Sequence, residues 1–315
     1  MTVSQHVLVN GRQEDTTQPE AIGARNRRLF VTTDADSEIT LVAGTKVGLV
    51  TGTAVYLIDS TGAVFGVRQT NGQIRTINTP YLYQIAEGNI AEHTAVRRYG
   101  HNSDVGTAPE TVSHIGAVMY YPAIAEILKI KSDDVDDDGA PVGTGARTVW
   151  LQGLDNNYAI ITDTITMNGT TAVDSNVAFL RLFEMKVVTA GTSGRNEGTI
   201  TAYGNDGTSK IDAIGAEENL SHSASFTVPA GQTLYIVSIV ISDASLKGAE
   251  VSLYAREFGG LWENYRPYVI LDDIITLPLS MPLVFTEKTD VELRATALAA
   301  GAVIAGGFAG WREDD

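Results

Sequence analysis

The chain has 315 residues, 43% hydrophobic and 19% charged, with 31 glycines, no cysteine and a formal net charge of −16. This is the composition of a folded globular protein of two or three domains, and it excludes a disordered chain, a disulfide framework, a thiol nucleophile and a cysteine-ligated metal. The charge argues against nucleic acid as a partner, because duplex binding rests on basic groups that displace counterions from phosphates.

The charge is uneven: residues 1–90 hold 7 basic and 8 acidic side chains, and the remainder holds 15 basic and 30 acidic. The acidity therefore belongs to the second part, where it favours solubility on an outward-facing surface. Residues 1–20 have neither a basic nor an apolar leader segment, so the expectation is synthesis and folding in a cytoplasm.

In chain order, His6–Val9 followed by Asn10-Gly11 reads as a strand and turn, and Gln13–Pro19 as polar loop. Strands are expected at Leu29–Thr32, Ile39–Val42, Lys46–Val50, Ala54–Ile58, Ala63–Val67 and Gln73–Ile77, separated by Gly44, Gly52, Thr61-Gly62 and Asn71-Gly72. That short, even spacing predicts a small N-terminal β domain over 1–79. Residues 80–106 lack sustained periodicity and read as a connector, with a short helical turn near Tyr81–Ala86.

Twelve further strands are expected within 107–315: Ala123–Ile130, Arg147–Leu154, Ala159–Met167, Ala178–Thr189, Gly198–Tyr203, Ser223–Val228, Thr233–Ser242, Glu250–Glu257, Tyr268–Leu271, Leu283–Thr286, Asp290–Ala297 and Ala302–Ala309. Alternation places Phe183, Met185 and Val187 on one face, and Val251, Leu253 and Ala255 on another. Thr233–Ser242 is apolar on both faces, with Leu234, Ile236 and Val240 against Tyr235, Val237, Ile239 and Ile241, and reads as a central strand. The predicted fold is all-β: a small N-terminal β domain followed by an acidic antiparallel β-sandwich of jelly-roll type. Ala295–Trp311 is uncharged over 17 residues but carries four glycines, so a terminal β-hairpin is expected in place of a membrane span.

The sharpest chemical pattern is Asp134-Val-Asp136-Asp-Asp138-Gly139, which opens like a calcium loop. Position 12 of that loop is Gly145 where a bidentate Glu is required, so an acidic solvated loop is the expectation and no metal is assigned. His6, His93, His101, His114 and His222 show no metal-ligand spacing on a common element. There is no Gly-x-Ser-x-Gly elbow, and Gly143-Thr-Gly145 lacks the lysine of a phosphate loop. Asn168-Gly-Thr and Asn219-Leu-Ser match glycosylation sequons but read as a hairpin turn and a loop. No catalytic residue and no cofactor is expected. Arg25, Arg27 and Arg28 cluster in an otherwise near-neutral domain, and their forked guanidiniums fit carboxylates across a protein interface.

Five segments carry a resemblance. Glu87-Gly-Asn-Ile-Ala-Glu-His93, Arg98-Tyr-Gly-His-Asn-Ser-Asp-Val-Gly106, the stretch from Gly143 through Asp155, Phe226-Thr-Val-Pro-Ala-Gly-Gln-Thr-Leu-Tyr235 and Lys288-Thr-Asp-Val-Glu-Leu-Arg294 together resemble a family of tailed-bacteriophage virion structural proteins, over roughly residues 80 to 315. The resemblance implies a phage virion component; the uneven charge and the missing catalytic motifs add the expectation that it works without catalysis, as a capsid decoration or head-fibre protein, with a tail fibre or adhesin binding host glycan as the alternative and a polysaccharide depolymerase third. It implies a homo-oligomer, a trimer by analogy, whose other partners are virion proteins such as the major capsid protein or tail components. On this reading residues 1–79 dock on the particle.

Overall fold

The computed structural model describes residues 81–315 and, before them, the backbone of seven strands. The chain forms two compact units, Met1–Asn89 and Ile90–Asp315.

In the first unit β1 (His6–Val9) pairs with β2 (Arg12–Asp15), so the strand runs into the segment expected as loop. Strands β3 (Ser37–Thr40), β4 (Lys46–Val50), β5 (Ala54–Ile58), β6 (Val64–Thr70) and β7 (Gln73–Ile77) form an antiparallel meander in chain order. Helix α1 (Tyr81–Ala86) follows. The expected strand Leu29–Thr32 and the interface residues Arg25, Arg27 and Arg28 lie outside the described residues.

The second unit is built from β8 (His93–Val105), β9 (Glu110–Thr111), β10 (Glu126–Ser132), β11 (Ala146–Leu154), β12 (Ile160–Thr166), β13 (Val173–Phe179), β14 (Arg181–Ala190), β15 (Ile200–Tyr203), β16 (Lys210–Ile214), β17 (Ser225–Thr227), β18 (Gln232–Asp243), β19 (Ala249–Arg256), β20 (Glu263–Ile270), β21 (Ile274–Phe285), β22 (Asp290–Ala297) and β23 (Ala302–Asp314). Eight of these pair in a nested order. β8 pairs with β23, β17 with β22, β18 with β21 and β19 with β20, all antiparallel. Cross-pairing of β18 with β23 and of β19 with β22 completes two facing sheets, the four-stranded β21-β18-β23-β8 and the five-stranded β17-β22-β19-β20, in which the short β9 also pairs with β22. This is jelly-roll connectivity, a long hairpin rolled into two facing sheets. Leu234, Ile236, Ile239 and Ile241 of one sheet meet Val251, Leu253, Val291 and Leu293 of the other in a single core. Burying each such side chain contributes about 1.5–3 kcal/mol.

Between the first and second strands of the jelly roll the chain builds another sandwich. Sheets β13-β10-β15-β16 and β12-β11-β14 enclose their own core around Leu128, Ile130, Val149, Leu151, Met185 and Ile200. The expected antiparallel β-sandwich of jelly-roll type is present, and a seven-stranded sandwich is inserted into it. The stretch read as a connector, 80–106, contains the thirteen-residue β8. Its inward positions include Gly100 and the buried Asn102 beside Val96 and Val105, so apolar alternation does not reveal the strand.

Two bulges redirect expected faces. In β18 the pairing shifts between Ile236 and Ser238, so Ile239 and Ile241 join Leu234 and Ile236 in the core while Val240 turns away. In β14 the pairing skips Phe183, with Glu184 opposite Gln152 and Leu182 opposite Gly153. Phe183 consequently leaves the face of Met185 and enters the jelly-roll core, stacked on Phe226 at 4.7 Å. The expected terminal hairpin is also corrected: β22 and β23 lie in opposite sheets, because the rolled topology makes these consecutive strands cross the core.

Candidate functional site

The inserted sandwich leaves the jelly roll after β9 and returns before β17, and both crossings run beside β8. Val112 N–H donates to Leu293, Ala224 N–H to Val112, and Leu293 N–H to Ala224. Ser113 and Ser223 form an isolated bridge. Gly100 of β8 makes this convergence feasible: a Cβ there would lie 1.8 Å from the Val112 carbonyl oxygen and 2.6 Å from the Ala224 nitrogen.

The residues next to these contact points are His101, His114 and His222. His101 on β8 sits edge-on to His114, with ring centroids 5.1 Å apart, and its backbone N–H donates to the His222 carbonyl. Glu218, in the loop after β16, completes the group. Its Oε2 lies 2.8 Å from His114 Nε2 and accepts a hydrogen bond of 2.8 Å from His222 Nδ1. One ligand atom from each of His101, His114 and Glu218 lies within 4.8 Å of the others. Their side chains are half-buried, and burial pulls the His114 imidazolium below its usual range despite the adjacent carboxylate. Although His114 Nε2 is close to Glu218, it is enclosed without an aligned hydrogen bond; the short distance alone does not satisfy it.

The Glu218 loop is held from behind. Buried Asn196 donates through Nδ2 to the carbonyls of Gly198 and Gly215, and its Oδ1 accepts from the Asn219 N–H at 2.9 Å. The Asn219 Oδ1 in turn accepts from the Asn196 N–H. A Cβ on Gly215 would stand 2.9 Å from the Glu218 carboxylate, so a larger residue would press on the cluster. Two imidazoles and a carboxylate meeting in a half-buried recess are a donor set suited to a zinc-class cation. Histidine spacing missed the group because its members come from three segments; the only local trace is the i,i+4 pair Glu218 and His222.

The Asp134–Gly139 loop is arranged differently. Asp137, the residue between the alternating carboxylates, is fully buried. It accepts from the backbone N–H groups of Ala146, Glu197 and Gly198 and from the Ser132 hydroxyl. Asp134 and Asp138 each accept from the backbone two residues on, and Asp136 is exposed. These carboxylates order the loop's own backbone.

A third polar group lies where the two sandwiches meet. Asp290 accepts from Arg181, Arg256 and Thr227, and Glu292 accepts from Arg294, Thr111 and Tyr121. Trp262 lies against the guanidiniums of Arg256 and Arg294 at 4.7 and 4.5 Å. Burial raises the Glu292 carboxyl, offset by Arg294 beside it. Both carboxylates are occupied by cations and hydroxyls, as in a structural network.

No protein-family profile matches the chain, and no curated protein matches it. Among solved structures the chain is similar to one of infectious bursal disease virus, Gx strain, at 10% identity and a TM-score of 0.17, over 88% of this chain and 68% of that one. A Gt strain structure aligns at 12% identity and a TM-score of 0.16, over 89% and 64%. The VP2 subviral particle of the same virus aligns at 10% identity and a TM-score of 0.10, over 89% and 79%.

Proposed function

We propose that this protein is a non-enzymatic structural component of a tailed-bacteriophage virion, a capsid decoration or head-fibre protein. The observation that carries the reading is the nested pairing of eight strands into a jelly roll, an architecture that recurs in viral capsid and lectin domains. The resemblance of residues 80–315 to phage virion proteins supports it. So does the environment of the buried carboxylates Asp290 and Glu292, which are committed to arginines and hydroxyls.

At one end of the jelly roll the edge strands are β20 and β21, in which Val269, Ile274, Met281 and Val284 are exposed. Pro267, Pro278 and Pro282 interrupt these edges, which disfavours strand addition and leaves side-chain packing as the means of association. A second copy of the chain is the occupant we assign, with a trimer as the expected closed assembly. Residues 1–79 are the segment assigned to docking on other virion proteins, such as the major capsid protein or tail components.

Imaging purified virions with gold-labelled antibody against the chain tests this reading. Label at many positions over the head is the expected result. Label at a single vertex would move the protein to the tail-fibre class, and its absence from purified particles would overturn a virion role.

A further inference from the structure

We propose that His101, His114 and Glu218 bind a zinc-class divalent cation, with His222 as the positioning residue that holds the Glu218 carboxylate. The inference does not depend on the virion reading.

Three observations carry it. The donor set is two imidazoles and a carboxylate, with one atom of each already gathered within 4.8 Å. Tetrahedral zinc with ligand distances of about 2.0–2.1 Å needs its donors about 3.3 Å apart, a spacing reached by small side-chain rotations from this arrangement. His114 Nε2 is enclosed with a carboxylate oxygen 2.8 Å away but no aligned hydrogen bond, an arrangement that a cation between the two would satisfy. The surroundings are those of a supported site: His222 Nδ1–H fixes the carboxylate from outside, and the clasp of Asn196 with Asn219 fixes the loop that carries it.

The position indicates the role. His101 belongs to the first jelly-roll strand, His114 to the chain leaving for the inserted sandwich, and Glu218 to the chain returning from it. A cation on these three groups would tie both crossings to β8. Metal bound only by the folded arrangement adds its binding free energy to stability. The three ligands leave a fourth tetrahedral position for water.

The test uses the full chain, stripped with a chelator and titrated with Zn²⁺ by calorimetry, with Co²⁺ absorption as a report on tetrahedral geometry. The expected result is one Zn²⁺ per chain, a raised melting temperature and a tetrahedral Co²⁺ spectrum. Glu218→Gln and His114→Ala should abolish all three. Because Glu218→Gln preserves shape and the side chain is half-buried, it keeps the test interpretable if His114→Ala does not fold. His222→Ala should weaken Zn²⁺ binding by about 10–100-fold while preserving stoichiometry. His93→Ala, whose imidazole faces Glu313, should change nothing. Absence of saturable binding, several weak ions per chain, or stoichiometric binding that survives Glu218→Gln would each overturn the proposal.

Discussion

Arg181, the first residue of β14 in the inserted sandwich, grips Asp290, the first residue of β22 in the jelly roll, through Nε to Oδ1 at 2.7 Å and Nη2 to Oδ2 at 3.0 Å. Both side chains are buried, and the same Asp290 carboxylate also accepts from Arg256 and from the Thr227 hydroxyl. A fork-to-fork pair closed over by protein, with its remaining positions filled, couples the two sandwiches in orientation as well as in energy. Phe183, thrown out of β14 by its bulge and stacked on Phe226, makes the apolar half of the same joint.

Breaking that pair from one side leaves an uncompensated buried charge. Asp290→Ala is therefore expected to destabilise the second unit by about 3–5 kcal/mol. Asp174→Ala, which removes the exposed partner of Lys129, should cost no more than about 0.5 kcal/mol. Guanidinium unfolding followed by tryptophan fluorescence checks both. Trp150, Trp262 and Trp311 all belong to the second unit, so the signal reports on that unit alone. Equal effects of the two substitutions would contradict the assignment of the joint.

The acidic loop gives a second contrast. Asp137 satisfies three backbone N–H groups and a hydroxyl inside the protein, and its removal orphans all of them. Asp137→Ala should cost about 3 kcal/mol or more, since each buried group left unpaired costs about 1–3 kcal/mol. Asp136→Ala, at an exposed position, should be within about 0.5 kcal/mol of the parent. Neither parent nor variant is expected to gain melting temperature from calcium. A calcium-dependent rise abolished by Asp136→Ala would reverse this reading.

That loop also shows what the sequence could and could not convey. The pattern of Asp134, Asp136 and Asp138 is visible, yet the residue that organises the loop is Asp137, which is buried and accepts from the backbone N–H groups of Glu197 and Gly198, some sixty residues away. Strands with apolar alternation, such as Val251, Leu253 and Ala255 in β19, were legible because one face meets the core throughout. β8 was not, because a glycine and an asparagine occupy its inward positions. The reversals at Val237 and Phe183 were equally hidden, since a bulge depends on the partner strand's register. The histidine cluster was the least legible feature: Gly100 brings three distant segments together, and no spacing within any one of them records that.

Asp212 supplies a pH dependence. It is wholly buried, and it accepts from the Ser223 hydroxyl and the Ala213 N–H. Desolvation pushes its carboxyl up from 3.8 to about 6, against the pull of the Ser223 and Ser221 hydroxyls, the Ala213 N–H and the Arg98 guanidinium. Between those values the folded state holds a proton that the unfolded state has released. The associated stability is present below 3.8 and is lost as pH rises through about 6. The gap corresponds to about 3 kcal/mol. Asp212→Asn removes the titration, so the stability of the variant relative to the parent should improve by up to about 3 kcal/mol from pH 4 to pH 7. His114, whose lowered imidazolium acts in the opposite direction by losing stability as pH falls below 6.5, is common to both proteins and cancels in the difference. A parent-to-variant difference that does not change with pH would show that the carboxyl is not protonated in the folded protein.

The last expectation concerns the open edge of the jelly roll. β20 pairs only with β19 and β21 only with β18, so both terminate their sheets. A bulge pushes Met281 outward, between Pro278 and Leu283, to 80% exposure, and Val284 and Ile274 are exposed nearby in the same strand. The prolines disfavour extension by backbone pairing, so the proposed contact between copies would run through these side chains, and removing apolar area from water contributes about 25 cal/mol per Å². Placing a charge at the centre of such a contact costs far more than it does in the free chain, where the site is already wet. Met281→Asp combined with Val284→Asp should therefore lower the sedimenting mass toward the 33.6 kDa monomer while leaving the melting transition of the second unit within a few degrees of the parent. An assembly that keeps its mass with both substitutions would place the contact between copies elsewhere on the molecule. A parent chain that sediments as a monomer at micromolar concentration would remove self-association from the proposal altogether.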